Sequence, residues 1–550
     1  MLFRLSGSAA LFVAAIALPA TPASAAPAAV SAKPAVHVAS HTVPAASAHD
    51  VATAERSDPH GHNLVADLTD TRTAGYSLVG VTWARGIDES KLEVKVRYRV
   101  GSRWSTWQKL EVDHDEGEGG RSGTEPLWVG KADGIAVRVI NPRGTKPSSV
   151  KVVTIDPGAT PTPAASSQTS NAFYSTSTGS STITAATSST PSYTSKPTII
   201  TRSQWGASAG GTCDSPKVGE TTKGIIVHHT AGSNSYSKSD SARIIRAIQA
   251  YHIKGHGWCD IGYNFLVDKY GQIFEGRKGG MDQTIRGAHA GNFDVNLYTM
   301  GVSMMGNFDK VTPSAALKAS MVRLIGWRIG TYYMAPKGSY TVDGITLQRI
   351  AGHRNVIATA CPGKYGYAWL SATGGLRDRV ASYVSGYASL ANNYYKKVGS
   401  ATTGPVFIGE YPTAGGRKTR LKNLDILALA STGAHGVASV QRTEYNRVGA
   451  QVRVLGFPTT ELETTSLAFL GVQRFQGGAI YRSTESGAAK AFASWGPIAA
   501  KYVESGEWTG PLGAPRGSIF TTSDGGKRTN FQNGYISYTA ATGAVIHLNS

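Results

Sequence analysis

The stretch Gly224-Ile225-Ile226-Val227-His228-His229-Thr230 decides how this chain is read. Its β-branched residues predict a strand that is apolar on both faces and ends in two imidazoles. Successive strand side chains point to opposite faces, so His228 and His229 cannot both turn toward one point from regular β geometry. Downstream, Gly352-His353-Arg354-Asn355-Val356 and Thr359-Ala360-Cys361-Pro362-Gly363 supply a further imidazole and a thiol. One imidazole of the strand end, His353 and Cys361 make three metal donors. Structural zinc is usually closed by four protein ligands, whereas catalytic zinc keeps three and leaves one position open. The pattern therefore points to hydrolytic chemistry.

Around this strand, further strands are predicted at 264–267, 272–275 and 299–306, alternating with helical patterns. In the first helix Ile244, Ile245, Ile248 and Tyr251 share a face, with Ser239 as the expected N-cap. In the second, Leu317, Met321, Leu324 and Ile325 form the stripe, with Thr312 as cap and Pro313 in the first turn. The segment is thus expected to be an α/β layer fold, a mixed β-sheet flanked by helices.

Six short motifs in this region occur in the order expected of one family. They are Arg202-Ser203-Gln204-Trp205-Gly206, His228-His229-Thr230-Ala231-Gly232, Gly257 to Phe265, Phe274-Glu275-Gly276-Arg277, Gly287-Ala288-His289-Ala290 and the loop from His353 to Cys361. The segment resembles the zinc amidases among the peptidoglycan recognition proteins. That resemblance implies a Zn2+ cofactor held by His228, His353 and Cys361. It also implies cleavage of the amide between N-acetylmuramic acid and L-alanine. Tyr263 is implied as donor to the tetrahedral oxyanion, and Thr359 as a group that positions water, since a hydroxyl alone is too weak a base. His229, Thr230, His252, Trp258 and His289 match positions lining the muropeptide groove; His252 also lies near the apolar stripe of its helix, where packing is an equal reading. Arg277 is either a partner for a stem-peptide carboxylate or a solvated surface residue. Family members commonly have Asp where this chain has Asn355, a change next to a ligand that bears on metal affinity.

The chain has three cysteines. With Cys361 given to the metal, Cys213 and Cys259 remain as a pair, and an exported protein favours pairing. The family often places the partner of the Cys259 position shortly after the His-His-Thr strand, where this chain has Lys238, so Cys213 stands as a substitute partner.

Residues 1–25 carry Arg4, an apolar run from Ala9 to Leu18 and the small residues Ala23-Ser24-Ala25, and read as a secretory signal. Residues 26–60 read as a flexible Ala/Pro-rich leader, 61–158 as a small all-β domain, 159–197 as a Ser/Thr/Pro linker, 198–395 as the amidase segment and 396–550 as a β-rich repeat region. In the β domain, Trp83, Trp104, Trp107 and Trp128 are read as core more readily than as a sugar platform. No later run is long and apolar enough for a transmembrane anchor. The formal net charge is +19. An exported chain of that charge meets anionic cell-wall polymers and peptidoglycan before nucleic acid, so a secreted, wall-associated monomer is expected.

In the C-terminal region Leu455-Gly456-Phe457-Pro458 recurs as Leu512-Gly513-Ala514-Pro515, and Phe475-Gln476-Gly477-Gly478 as Phe531-Gln532-Asn533-Gly534. Tyr445 and Tyr502 each precede the motif's proline by 13 residues. A degenerate third copy is marked by the step from Ile426 to Gly433. These units resemble LGFP repeats, which implies attachment to the cell envelope. Two functions compete: an amidase, or a recognition protein that binds peptidoglycan without cutting it. Relatives that only bind typically lack a zinc ligand, so the complete His-His-Cys set favours the enzyme. A zinc peptidase would want a helix-borne His-Glu-x-x-His, which is absent from the sequence.

Overall fold

The computed structural model describes residues 35–113, 119–159, 193–211, 213 and 216–549. The signal segment 1–25 and most of the linker at 159–197 lie outside the described residues.

The segment 198–395 is built on a five-stranded sheet, in the order Ile273–Glu275, Phe265–Val267, Thr299–Met304, Gly224–His229, Ile350–Gly352. The last four strands run parallel; Ile273–Glu275 is an antiparallel edge. Both faces of the central strand are covered, which explains its unbroken apolar run. Ile225 and Val227 enter a core shared with Leu317, Met321, Leu324 and Ile325 of the Ala315–Thr331 helix. Ile226 faces a separate cluster with Val295, Val342 and Leu347. The Ser241–Ala250 helix covers Leu266 and Phe274 and continues through a π-helical turn, Tyr251–His256, closed by Gly257 at φ +80°.

Both expected helix caps move. Ser237, not Ser239, is the N-cap position, because a 3-10 turn, Lys238–Asp240, precedes the α-helix; its N–H and hydroxyl donate to Asp240 Oδ2 at 3.0 and 2.7 Å. Ser314, not Thr312, caps the second helix by accepting from Leu317 N, so Pro313 falls before the helix.

The N-terminal domain is a nine-stranded sheet wound about the 21-residue strand Leu64–Ala84, which pairs first with Leu127–Ile140 and then with Lys151–Asp156. It begins earlier than composition indicates. His37–Thr42 pairs along its whole length with Lys151–Asp156, and Ser47 and Asp50 close a capping box on the helix Ala48–Glu55. Residues 35–60 are therefore not a flexible leader: backbone pairing and a cap order a stretch whose side chains bury little. Trp83 and Trp128 are core, while Trp104 and Trp107 are half-buried beneath the Arg97 guanidinium.

The tail is an array of three units, each a helix followed by a four-stranded antiparallel sheet, with helices Leu390–Val398, Ser439–Arg447 and Gly496–Glu504. The repeated residues serve one turn. Gly456 (φ +68°) and Gly513 (φ +69°) adopt the left-handed conformation that favours glycine. The Tyr445 and Tyr502 hydroxyls donate to their carbonyls at 2.7 Å. The Gln476 and Gln532 side chains accept from the next backbone N–H at 2.9 Å. Neighbouring units share cores: Leu427 and Val437 pack with Tyr445 and Phe457, and Leu470 and Tyr481 with Tyr502 and Phe531. The first unit packs on Tyr332 of the preceding α/β segment, so the tail begins at its helix at Leu390 rather than at residue 396.

Candidate metal centre

The three donors are delivered by the C-terminal ends of two neighbouring parallel strands, the place where open α/β sheets form crevices. His228 is the penultimate residue of Gly224–His229; His353 follows Ile350–Gly352 directly, and Cys361 lies on the loop beyond. All three are buried, and one nitrogen of each imidazole and the Cys361 Sγ lie within 4.8 Å of one another. His228 Nδ1 is 3.7 Å from Cys361 Sγ. Two ligands bound to one zinc at about 2.0 and 2.3 Å in tetrahedral geometry stand roughly 3.5 Å apart, so the donor set fits this ion.

Neighbouring groups orient His228 and Cys361. His228 Nε2 faces His289 Nδ1 at 3.1 Å, the kind of outer contact that fixes a ligand's tautomer. Burial, and then the charges of His353, His289 and His229, hold the His228 imidazole well below its usual pKa, so it is neutral and able to ligate. Cys361 Sγ accepts the backbone N–H of His229 at 3.3 Å, and Thr359 Oγ1 accepts the Cys361 N–H at 3.2 Å. Asn355 Oδ1 accepts the Gly352 N–H at 2.9 Å and its amide nitrogen donates to Tyr367 Oη at 2.9 Å. The amide thus closes the ligand loop as a carboxylate acceptor would, and adds a donor that a carboxylate lacks.

Strand alternation separates the two adjacent histidines. His229 turns to the opposite face, where its Nδ1 accepts the Phe308 N–H at 3.2 Å. Its Nε2 therefore carries the proton and donates to Glu111 Oε2 at 3.1 Å. Tyr263 packs against His228 with ring centroids 5.4 Å apart, and its hydroxyl donates to Glu125 Oε1 at 3.0 Å. His252, His289 and Trp258 are buried around it, His252 accepting the Gly262 N–H at 3.1 Å. Thr230 is also buried and accepts the Gly306 N–H. Arg277 is not a solvated surface residue: it is buried, and its guanidinium donates to the Ile261 carbonyl. Cys213 and Cys259 form a disulfide with Cα atoms 5.3 Å apart.

Glu111 and Glu125 belong to the N-terminal domain and were absent from the sequence reading. Contacts between domains leave no periodicity in a sequence, so no signal marked them.

Comparison with known proteins agrees with this architecture. The N-acetylmuramoyl-L-alanine amidase family matches residues 218–364, the Rv3811 N-terminal galactose-binding domain-like family residues 23–170, and the LGFP repeat residues 455–510. Peptidoglycan recognition protein 1 of Bos indicus is 34% identical over 166 residues, which are 30% of this chain and 78% of that protein. Peptidoglycan-recognition protein SC2 of Drosophila melanogaster is 33% identical over 166 residues, 30% of this chain and 80% of that protein. Among solved structures, Drosophila PGRP-LB is 27% identical with a TM-score of 0.27, covering 32% of this chain and 93% of that one. The chain belongs to the peptidoglycan recognition protein family, in an amidase-type form that carries C-terminal LGFP repeats.

Proposed function

We propose that this protein is a secreted, zinc-dependent peptidoglycan hydrolase that cleaves the amide between N-acetylmuramic acid and the L-alanine of the stem peptide. The observation that carries this reading is the convergence of His228, His353 and Cys361 within 4.8 Å at the strand ends. A zinc held by His228, His353 and Cys361 would supply an acidified water and polarise the scissile carbonyl.

The chain's own residues do the rest. Tyr263 beside His228 is the donor for the oxyanion that forms as the amide is attacked. Thr359 accepts the Cys361 N–H and so keeps the thiolate in place, and its hydroxyl is the group we assign to positioning water. His229, Thr230, His252, Trp258, Arg277 and His289 line the groove for the muropeptide, and the repeats anchor the chain to the cell wall. Recognition proteins among the relatives give the competing reading of binding without cleavage; the complete donor set favours cleavage.

The test is digestion of purified peptidoglycan by the full chain, with and without a chelator, followed by mass analysis. Stem peptides with a free L-alanine amino terminus and intact glycan strands are expected, and should vanish with the chelator. New reducing sugar ends, or cuts only within the peptide, would overturn the assignment.

A further inference from the structure

The groove that this function needs is shut by the chain itself. Tyr263 and Trp258 are each 2% exposed, and His229 and His289 are fully buried. A polymer substrate has no access to such surfaces. The N-terminal domain contributes directly to that closure. Glu111 Oε2 accepts a hydrogen bond from His229 Nε2 at 3.1 Å, and Glu125 Oε1 accepts one from the Tyr263 hydroxyl at 3.0 Å. Asp113 lies 3.8 Å from His256. Gly119 and Gly123 run so close to the Tyr251–His256 turn that a Cβ on Gly119 would lie 2.0 Å from the His256 carbonyl oxygen and 2.8 Å from the Trp258 indole.

We propose that the edge of the N-terminal domain bearing Glu111 and Glu125 is an intramolecular occupant of the muropeptide groove, and that substrate enters only when this edge lifts. The inference rests on the groove assignment of the preceding section. Two carboxylates sit on the donors that a substrate carbonyl or carboxylate would use. A Tyr263 hydroxyl committed to Glu125 is not donating to an oxyanion, so this arrangement is a resting state and not a completed catalytic site. The remainder of the contact is apolar: Leu78, Trp128, Val153 and Ile155 share a core with Ile244, Ile248 and Tyr251. That core keeps the domain docked while its polar edge opens. The apparent affinity for substrate is then the intrinsic affinity scaled by the open fraction.

The test uses the full chain carrying Cys361→Ser, with and without Glu111→Ala and Glu125→Ala, and the soluble disaccharide-tetrapeptide muropeptide as probe. Calorimetry should find binding tightened by roughly tenfold or more when both carboxylates are removed, through a larger open fraction. Hydrogen exchange in the Cys361→Ser chain should rise at 119–126 on binding, as that edge is displaced, and fall at 228–232. Equal affinity with unchanged exchange at 119–126 would overturn the proposal. So would weaker binding by the double variant, because the carboxylates would then belong to the substrate site. If binding and exchange behave as expected but the zinc-loaded parent chain releases no stem peptide, the amidase reading fails and the occlusion stands.

Discussion

Replacing Tyr263 by Phe separates two roles of one hydroxyl. The ring is buried against His228 and His252, and Phe preserves that packing. The hydroxyl is not among the three metal donors, so zinc content should not change. Loss of a single oxyanion donor costs about 2.7–4 kcal/mol of transition-state stabilisation, a fall in kcat of roughly 100- to 1,000-fold. The same substitution removes the 3.0 Å bond to Glu125. A hydrogen bond to a charged group contributes about 1.5–3 kcal/mol, so the groove should open more readily and substrate should bind roughly tenfold tighter or better. The signature is therefore a large drop in kcat with a lowered KM, read from stem-peptide release on a soluble muropeptide at fixed zinc. An unchanged kcat would assign Tyr263 to packing alone. A lowered kcat with unaltered KM would leave the donor role and remove the hydroxyl from the closure.

Cys361→Ser should abolish zinc retention and hydrolysis while the chain still sediments with cell walls; metal analysis showing full occupancy with undiminished turnover would refute it. Deleting residues from Ser439 onward spares the first tail unit that packs on Tyr332. It should weaken retention on whole walls severalfold, increasingly so at low salt, yet leave turnover of small muropeptides nearly unchanged. The buried His256 imidazole is held down to about 4, chiefly by desolvation, against about 6.5 in an unfolded chain. Its folded form binds fewer protons, so this contribution is present above pH about 6.5 and is lost as pH falls toward about 4, a change of roughly 3 kcal/mol. Urea unfolding of His256→Gln should show a flatter acid limb between those values, and a native His256 titrating near 6.5 would contradict this.

The amidase-family segment was legible because its candidate metal donors sit where backbone rules are strict. Ile225 to Val227 demand a strand covered on both faces, and a parallel strand delivers whatever follows it to the C-terminal edge of the sheet. Alternation then separates His228 from His229, as it must. The repeats were legible for a related reason: Gly456 and Gly513 hold a left-handed turn whose carbonyl and N–H need the tyrosine and glutamine at fixed spacing. Residues 35–60 were not legible. The His37–Thr42 strand is ordered by its backbone ladder to Lys151–Asp156, and most of its side chains remain exposed, so no hydrophobic alternation announces it. The helix caps were displaced by a few residues because a 3-10 turn and a proline each delay the first α-helical turn.

The largest gap between sequence and structure lies at the groove. A sequence read segment by segment treats the N-terminal domain as a separate module, since Glu111 and Glu125 have no pattern that ties them to residues more than 100 positions away. In the structure Trp128 and Leu78 complete the core around Ile244 and Ile248, so the helix behind the groove packs on another domain's side chains. The first tail unit completes a second core around Tyr332 at the far end of the Ala315–Thr331 helix. Each flanking module thus satisfies an apolar surface of the amidase-family segment. Cutting the segment free would expose both surfaces along with the groove. An isolated amidase-family segment that hydrolyses muropeptide faster than the full chain would therefore confound opening with a changed fold, whereas point changes at Glu111 and Glu125 alter only the polar edge and keep both cores intact.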